Sequence, residues 1–296
     1  MKLDPRVSID SSVHHMNPLP SIPTKAETSG AQTLRRGLSV LRLLTRVGPS
    51  GLRVTEIGRR LGLNKATAIR LTRTLVDEGF VVHDHRSACY RLGPEAFAVG
   101  LAAEPSYELQ RHAAKTLRSL AMESGDTVYF MVLHGYEGIC LSRDDGDFPI
   151  RNQLMKAGDR WPLGVSAGSC ALLASLSDAD ISDVLARSAE LRAARFPLCT
   201  DEAIWGLIAD TRERGYCLQP GLVLEDSWAI AAVVHDSDDR PVASISIAAT
   251  KSRLGPDRSA TLGARLLQAS KLLEAAQRAR DSSTAASKEE AWIAPV

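Results

Sequence analysis

The chain has 296 residues, of which 44% are hydrophobic, and its formal net charge is +1 at pH 7. This length predicts about two domains, and the hydrophobic fraction suffices for two buried cores. Residues 1–30 lack the apolar run of a signal peptide, and no stretch approaches the roughly 20 apolar residues of a membrane span, so we expect a soluble, cytoplasmic protein.

Residues 1–30 are rich in Ser and Pro and carry single charges, so we predict a disordered tail there. The first helix follows in TLRRGLSVLRLL, residues 33–44. Leucines recur in this segment at helical spacing, which predicts this helix. These leucines are Leu34, Leu38, Leu41 and Leu44.

Two short helical patterns between Thr55 and Gly79 meet at a Gly-Leu turn, which is typical of a helix-turn-helix. Asn64 is placed to cap the second helix, and Gly79 to end it in the left-handed conformation that glycine adopts at little cost. A stripe of small and apolar residues on this helix is predicted to pack on Ile57 and Leu61. The stripe consists of Ala68, Leu71, Thr72 and Leu75.

The opposite face of the second helix is basic and polar. Basic side chains neutralise phosphates, Arg also bonds a guanine edge, and Ile69 or Thr67 can meet a thymine methyl in the major groove. Many charged helix faces are merely solvated, so this assignment depends on the neighbouring elements. The residues predicted to contact DNA are Thr55, Asn64, Lys65, Ala66, Thr67, Ile69, Arg70, Arg73, Thr74 and Arg86.

Two short alternating strands, 80–84 and 89–92, come next and are joined by residues 85–88. They predict a hairpin, or wing, which completes a domain at 31–93. Residues 31–95 hold 12 Lys and Arg against 5 Asp and Glu, a net of +7, whereas residues 96–296 hold 21 against 27, a net of −6. This asymmetry favours double-stranded DNA as a partner, because counterion release from phosphate rewards concentrated positive charge.

The carboxy-terminal half alternates strand and helix patterns. Turns such as DSDDRP at 236–241 argue for antiparallel strands, and the long final helix is predicted to pack across one face of the sheet. The fold class predicted for the whole chain is therefore α+β, with two domains. Predicted strands are Thr127 to Leu133, Ile139 to Arg143, Trp228 to His235 and Val242 to Ala248; predicted helices are Ala167 to Leu176, Asp178 to Ser188, Asp201 to Gly215 and Asp257 to Ala279, before a flexible tail at 281–296.

The five cysteines form an odd set without a CxxC spacing. This pattern favours neither a disulfide framework nor a zinc site, so we expect buried thiols that act as small hydrophobic side chains. We predict no metal and no cofactor. The cysteines are Cys89, Cys140, Cys170, Cys199 and Cys217.

Residues 164–168 spell GxSxG, the pattern of the nucleophile elbow of α/β-hydrolases, and raise the alternative of a serine hydrolase. That mechanism also needs a buried apolar strand before Ser166, and an acid and a histidine later in the chain. Pro162 makes the preceding segment a poor central strand, and the sole downstream histidine is His235. We therefore predict no catalytic residues and no enzyme.

The order and spacing of these segments resemble the IclR family of bacterial transcriptional regulators, from about Gln32 to Arg280. The resemblance implies a winged helix-turn-helix at 31–93 and, at 94–280, a linker helix and a GAF-like α/β effector-binding domain. It also implies promoter binding as a homodimer or homotetramer. The segments that carry it are TLRRGLSVLRLL, TEIGRRLGLNKATAIRLTRTLVDEGFV, YRLGPEAFAVG, GDTVYFMVLHGYEGICLSR, WPLGVSAGSCALLASL, RERGYCLQPGLVLEDSWAIAAVVHD and PVASISIAATKSRL.

Matched position by position, the family's effector pocket falls on nine residues of this chain. Gln219 stands where family members that bind small oxo-acids have an acidic residue, Ala229 where they have a cysteine, and Ala248 where they have a hydroxyl. Gly164 and Cys170 replace a histidine and a lysine that the family often has. We therefore expect an effector larger or less polar than a two- or three-carbon acid, such as an aromatic or alicyclic catabolite. The nine residues are Ile150, Gln153, Ala167, Gly168, Gln219, Ser227, Ala229, Ser246 and Ala248.

The function predicted from the sequence is a sequence-specific transcriptional regulator, a repressor or dual regulator of a catabolic operon. A small organic acid or aromatic metabolite is expected to bind the second domain and to shift the fit of two winged domains to two half-sites. Two alternatives stay open: a DNA-binding protein whose second domain is purely structural, and a serine hydrolase with an accessory winged domain.

Overall fold

The computed structural model describes residues 31–103, 108–150 and 154–292, with the backbone alone at 108 and 280–292. These residues group into an amino-terminal unit that ends at Leu101 and a carboxy-terminal unit that begins at Ala102. The predicted tail at 1–30 and one predicted pocket residue, Gln153, lie outside the described residues. None of the described helices is long and apolar enough to cross a membrane.

Helices and a small sheet form the amino-terminal unit, in agreement with the predicted α+β class. The helices are α1 (Gln32–Thr45), α2 (Val54–Arg60), α3 (Lys65–Asp77) and α4 (Pro94–Ala103). The strands are β1 (Leu52–Arg53), β2 (Val81–Asp84) and β3 (Cys89–Leu92), in the sheet order β1-β3-β2. Asp84 lies opposite Cys89 in the antiparallel pair of β2 and β3, which confirms the predicted hairpin.

Helix α1 forms as predicted, and only part of its leucine spacing faces the core. Leu34 and Leu38 are 65% and 41% exposed. The core of the amino-terminal unit meets only the second half of α1, and leucine spacing alone does not reveal how much of a helix is covered. The buried cluster consists of Val40, Leu43, Leu44, Leu52, Ile57 and Val81.

The helix-turn-helix forms as predicted. Gly62 has φ +62° in the turn between α2 and α3. Asn64 caps α3, because its Oδ1 accepts from the Thr67 amide at 2.8 Å. Gly79, at φ +75°, lies in the left-handed region just beyond the end of α3. The predicted stripe faces the core, with Ala68, Leu71 and Thr72 buried and Leu75 half-buried.

A backbone contact joins the end of β3 to the end of α3. The Gly93 amide donates to the Phe80 carbonyl at 2.8 Å, and the Glu95 amide donates to the Gly79 carbonyl at 3.3 Å. A Cβ on Gly93 would lie 2.3 Å from the Gly79 carbonyl oxygen, so only glycine fits at position 93. Helix α4 therefore begins, at Pro94, directly against the carboxy-terminal end of α3.

Helices cover both faces of an antiparallel sheet in the carboxy-terminal unit. The helices are α5 (Glu108–Ser124), α6 (Ala167–Ala174), α7 (Asp178–Arg195), α8 (Asp201–Arg214) and α9 (Pro256–Trp292). The strands are β4 (Thr127–His134), β5 (Glu137–Asp144), β6 (Arg160–Pro162), β7 (Cys217–Gln219), β8 (Ser227–His235) and β9 (Pro241–Thr250). The sheet order is β6-β5-β4-β9-β8-β7, and every neighbouring pair is antiparallel, as predicted.

The two faces of this sheet differ in side-chain size. One face carries large apolar groups such as Phe130 and is covered by α5 and α9, which contribute Leu117 and Leu266 to the same core. The other face carries small side chains on β8 and β9. Helix α6 approaches it so closely that a Cβ on Gly168 would lie 2.9 Å from the Ser244 hydroxyl.

Helix α9 is longer than predicted. The predicted helix ends at Ala279 and is followed by a flexible tail at 281–296, whereas the observed helix continues through residues 281–292. These residues contain neither glycine nor proline, so nothing in them interrupts the helix.

The cysteines are free thiols, four of them buried as predicted and Cys89 half-buried. Burial raises the pKa of the Cys140 thiol to about 12 and that of the Cys199 thiol to about 11. Both therefore stay protonated and unreactive near neutral pH.

Candidate nucleic-acid interface and ligand cavity

Helix α3 presents a basic face to solvent. Lys65, Arg70 and Arg73 are exposed on this face, and none of them forms a salt bridge with another described residue. Ile69 lies among them and is 43% exposed. The other predicted DNA contacts are exposed at Thr55, Asn64, Ala66, Thr74 and Arg86 and half-buried at Thr67.

The arginines of α2 are held by an acid of the same helix. The Glu56 carboxylate lies 2.6 Å from Arg59 Nη2 and 2.6 Å from Arg60 Nε. Hydrogen bonds from Arg59, which has the larger effect, and from Arg60 lower the pKa of Glu56 to about 2. The carboxylate offsets part of their positive charge, so the charge left to neutralise phosphates is concentrated on α3.

Asp84 shapes the turn of the wing. Its carboxylate accepts from the Ser87 hydroxyl at 2.7 Å and from the Arg86 amide at 3.0 Å, and these two bonds lower the pKa of Asp84. Ala88 completes the turn at φ +55°, in the region that favours glycine. The turn leaves the Arg86 side chain exposed at the end of the hairpin.

A cavity of about 30 Å³ lies between the sheet of the carboxy-terminal unit and the amino end of α6. This volume accommodates a water molecule or two, so an organic ligand requires its walls to move outward. All lining side chains are uncharged. They are Tyr129, Leu154, Met155, Trp161, Ser166, Ala167, Gln219, Val223, Ser227, Ala229, Ser246 and Ala248.

The structure brings together six of the nine residues predicted for the effector pocket. Gly168 lies just behind the lining, against Ser244 and Ser246. Ile150 does not line the cavity, because the loop after β5 leaves its side chain 54% exposed. The six residues that line the cavity are Ala167, Gln219, Ser227, Ala229, Ser246 and Ala248.

Half of the residues that line the cavity, including its apolar wall, were not predicted from the sequence. Tyr129 could have been found, because it alternates with Val128 and Phe130 along β4 and so faces the same side of the sheet as the small residues. Residues in loops and at the sheet edge leave no periodic signal. The missed residues are Tyr129, Leu154, Met155, Trp161, Ser166 and Val223.

Two serines cap the amino end of α6 reciprocally. Ser166 Oγ accepts from the Ser169 amide at 3.2 Å, and Ser169 Oγ accepts from the Ser166 amide at 2.8 Å. This arrangement leaves the amides of Ala167 and Gly168, the first two residues of α6, without an acceptor among the described residues. These two amides, which belong to buried residues, give this end of the cavity a positive potential.

Polar side chains of the sheet face the same end of the cavity. Gln219 on β7 donates through Nε2 to the carbonyl of Val165, next to the cap of α6. Ser246 on β9 is buried, and its hydroxyl has no hydrogen-bond partner in the described part of the chain. Burial raises the pKa of Tyr129, so its phenol stays neutral.

The structure does not place Ser166 and His235 as a serine hydrolase mechanism requires. Ser166 follows β6, a three-residue strand at the edge of the sheet, and its hydroxyl is occupied by Ser169. His235 Nδ1 lies 3.1 Å from Glu274 Oε1 of α9, which covers the sheet face opposite α6. The serine and the histidine are therefore not brought together.

Comparisons with known proteins identify the family of both units. Residues 33–85 match the model of the IclR helix-turn-helix domain, and residues 102–275 match the model of the bacterial transcriptional regulator IclR C-terminal domain. The chain is 29% identical over 254 residues to the transcriptional repressor IclR of Escherichia coli (strain K12), covering 85% of this chain and 92% of that protein.

Two further proteins match over a similar share of this chain. The glycerol operon regulatory protein of Streptomyces coelicolor is 32% identical over 232 residues, which cover 75% of this chain and 86% of that protein. The crystal structure of an IclR transcriptional regulator from Alicyclobacillus acidocaldarius has a TM-score of 0.68 at 26% identity, over 82% of this chain and 97% of that chain.

Proposed function

This chain belongs to the IclR family of bacterial transcriptional regulators, and we propose that the contacts with its operator are made by the basic face of α3 together with Arg86 of the wing. The observation that carries this proposal is the exposed face of Lys65, Arg70 and Arg73, whose charges no described acid neutralises. A basic helix of this kind neutralises phosphates and reads base edges in the major groove.

A band-shift titration tests the DNA interface. The full chain is titrated on its own upstream DNA and on a scrambled duplex at two salt concentrations. Because base contacts survive salt better than phosphate contacts, the upstream DNA should keep its advantage at the higher salt. Equal, weak binding of both duplexes contradicts the proposal.

We propose that the cavity at the amino end of α6 binds a small organic acid or aromatic metabolite that changes the affinity for DNA. Its support is a buried lining of apolar side chains interrupted by a few polar groups, which is the usual composition of a ligand site. The loop at 220–226 carries Val223 and forms one wall of the cavity. We propose that this loop moves outward when an organic ligand binds.

A thermal-shift screen of organic acids separates this proposal from a purely structural second domain. Binding to the folded state raises the melting temperature, and the same compounds should alter the band shift on upstream DNA. A screen in which no acid changes either quantity favours the structural alternative.

We also propose that the chain acts as a homodimer or homotetramer that engages two half-sites. The support is helix α4, whose large apolar side chains are exposed and include Phe97 at 70% exposure, with Val99 and Leu101 beside it. An apolar helix surface of this kind is typical of an association surface.

A further inference from the structure

Within α3, all of whose residues are described, Ile69 is the large apolar side chain that is exposed to solvent. It is 43% exposed, and Lys65 and Arg73 flank it at i−4 and i+4 on the same surface of the helix. Resting on the proposed contact between this face and operator DNA, we infer that Ile69 reads the 5-methyl group of a thymine in the major groove. The half-site then carries a thymine at a position that this side chain fixes.

The fold of the amino-terminal unit does not account for an isoleucine at position 69. The side of α3 that faces the core is formed by Ala68, Leu71 and Thr72, and Ile69 belongs neither to the buried cluster of this unit nor to the half-buried side chains packed against it. A β-branched residue also favours a helix less than alanine does. Isoleucine at this position therefore exposes apolar surface in the free protein, and a partner that covers this surface stabilises the complex.

The charges around Ile69 indicate that this partner is a DNA duplex. Lys65, Arg70 and Arg73 are exposed and form no salt bridge with another described residue. An apolar protein surface laid over Ile69 would desolvate these cations without a partner, whereas phosphates neutralise them. A duplex also supplies the apolar contact, because the thymine methyl is the apolar group that base edges present in the major groove.

The structure favours Ile69 over Thr67 for this contact. Thr67 also carries a methyl group, but it is half-buried and lies one turn before the buried Leu71, on the flank of α3. Ala66, at i−3 from Ile69, is exposed and small, so it leaves the isoleucine room to approach a base edge. Because isoleucine has one strongly preferred χ1 rotamer in a helix, its side chain is already ordered before DNA binds.

Replacement of single thymines by uracil tests the inference. Uracil lacks the 5-methyl group and keeps every hydrogen-bonding group of thymine. The full chain is titrated by band shift on the shortest upstream duplex that it binds, with one thymine replaced in each duplex. Because burial of one methyl group favours binding about fourfold, at least one of these duplexes should bind about fourfold more weakly than the unmodified one.

Two variants assign the sensitive thymine to a side chain. In Ile69→Ala the same uracil replacement should change the affinity by less than about 1.5-fold, because the shorter side chain no longer reaches the methyl group. Alanine favours a helix more than isoleucine does, so this variant keeps α3 intact. Thr67→Ser removes the other candidate methyl group and should keep the fourfold penalty for uracil, whatever its effect on overall affinity. Thermal unfolding is recorded for both variants.

Cytosine and 5-methylcytosine provide a second comparison at the same position. The thymine that responds to uracil is replaced, together with its partner base, by a cytosine–guanine pair with or without the 5-methyl group. The two duplexes differ only in that methyl group, so the wild type should bind the methylated one about fourfold more tightly. Ile69→Ala should bind the two duplexes alike.

Three results would overturn the inference: a uracil series in which no duplex binds more weakly, a uracil penalty that persists in Ile69→Ala, or one that disappears in Thr67→Ser. A penalty that persists in Ile69→Ala would come from the DNA itself or from another side chain. None of these results bears on the proposed DNA interface, because the preference of the wild type for unmodified upstream DNA over a scrambled duplex measures that interface separately. Absence of this preference would contradict the proposed interface and the inference together.

Discussion

Arg70 and Arg86 belong to different parts of the DNA-binding surface, and their replacement should have different effects. Arg70 lies on the exposed face of α3 that we propose reads base edges, so Arg70→Ala should weaken binding to upstream DNA by ~1 to 3 kcal/mol and binding to scrambled DNA much less. Arg86 lies in the turn of the wing, so Arg86→Ala should weaken both duplexes alike. Band-shift titrations measure both differences.

The two arginine variants serve as controls for each other. Both remove one positive charge from an exposed position, so a difference in sequence dependence reflects where the charge was placed. Equal losses of Arg70→Ala on the two duplexes would show that Arg70 contacts phosphate only.

Glu56 should make the stability of the amino-terminal unit depend on acid pH. Its pKa is lowered from 4.5 to about 2 by Arg59 and Arg60, so its contribution is fully present above the unfolded value and is lost as the pH falls from about 4.5 toward 2. Urea unfolding of the wild type and of Glu56→Gln at several pH values measures this contribution.

The difference in free energy of unfolding between the wild type and Glu56→Gln should disappear as the pH falls from about 4.5 toward 2. Because the carboxylate is partly exposed, solvent screening keeps the gap small at neutral pH. A gap that is independent of pH from 2 to 7 would contradict the assignment.

The structural role of a residue could be predicted from the sequence where that role depends only on its neighbours in the chain. Asn64 caps α3 and Gly79 follows its end because both effects depend on a few neighbouring residues. The exposure of Leu34 and Leu38 could not be predicted in this way, because it depends on where the rest of the unit ends.

At the scale of elements, the close approach of α6 to the sheet depends on Gly168. In Gly168→Ala the added Cβ would lie 2.9 Å from Ser244 Oγ, so the Ser244 hydroxyl must turn away or α6 must shift, at a cost of up to about 3 kcal/mol in unfolding free energy. Thermal unfolding should show this loss.

Gly206→Ala provides the matched control. Gly206 lies within α8, and a Cβ there meets nothing within 4 Å. This variant should stabilise the protein by about 0.5 to 1 kcal/mol, because glycine weakens a helix interior relative to alanine. A destabilised Gly206→Ala, or an unaffected Gly168→Ala, would contradict the packing argument.

Long elements could be predicted from the sequence and short ones could not. The strands β4, β5, β8 and β9 have enough residues for alternation to show, and their antiparallel pairing was predicted from the turns between them. β1, β6 and β7 have two or three residues each, which is too few for a periodic signal. The missed wall of the cavity lies largely at such edges and in loops.

At the scale of the whole molecule, α4 offers a test of self-association. Phe97→Asp places a charge on its exposed apolar surface and should lower the mass measured by light scattering toward that of one chain, 31.9 kDa. Glu95→Gln, two residues earlier on the same helix, should leave the mass unchanged. A wild-type protein of one-chain mass, or a Phe97→Asp protein that keeps the wild-type mass, would contradict the proposal.

The contact at Gly93 restricts the spacing of the two DNA half-sites that a pair of associated chains can bind. Because Gly93 and Glu95 bond directly to the segment that ends α3, no flexible joint separates α4 from the recognition helix. Two copies joined through α4 would hold their recognition helices at one separation and one angular phase around the duplex. Inserting about 5 base pairs, half a turn of B-DNA, between half-sites would then place one of them on the wrong side of the double helix.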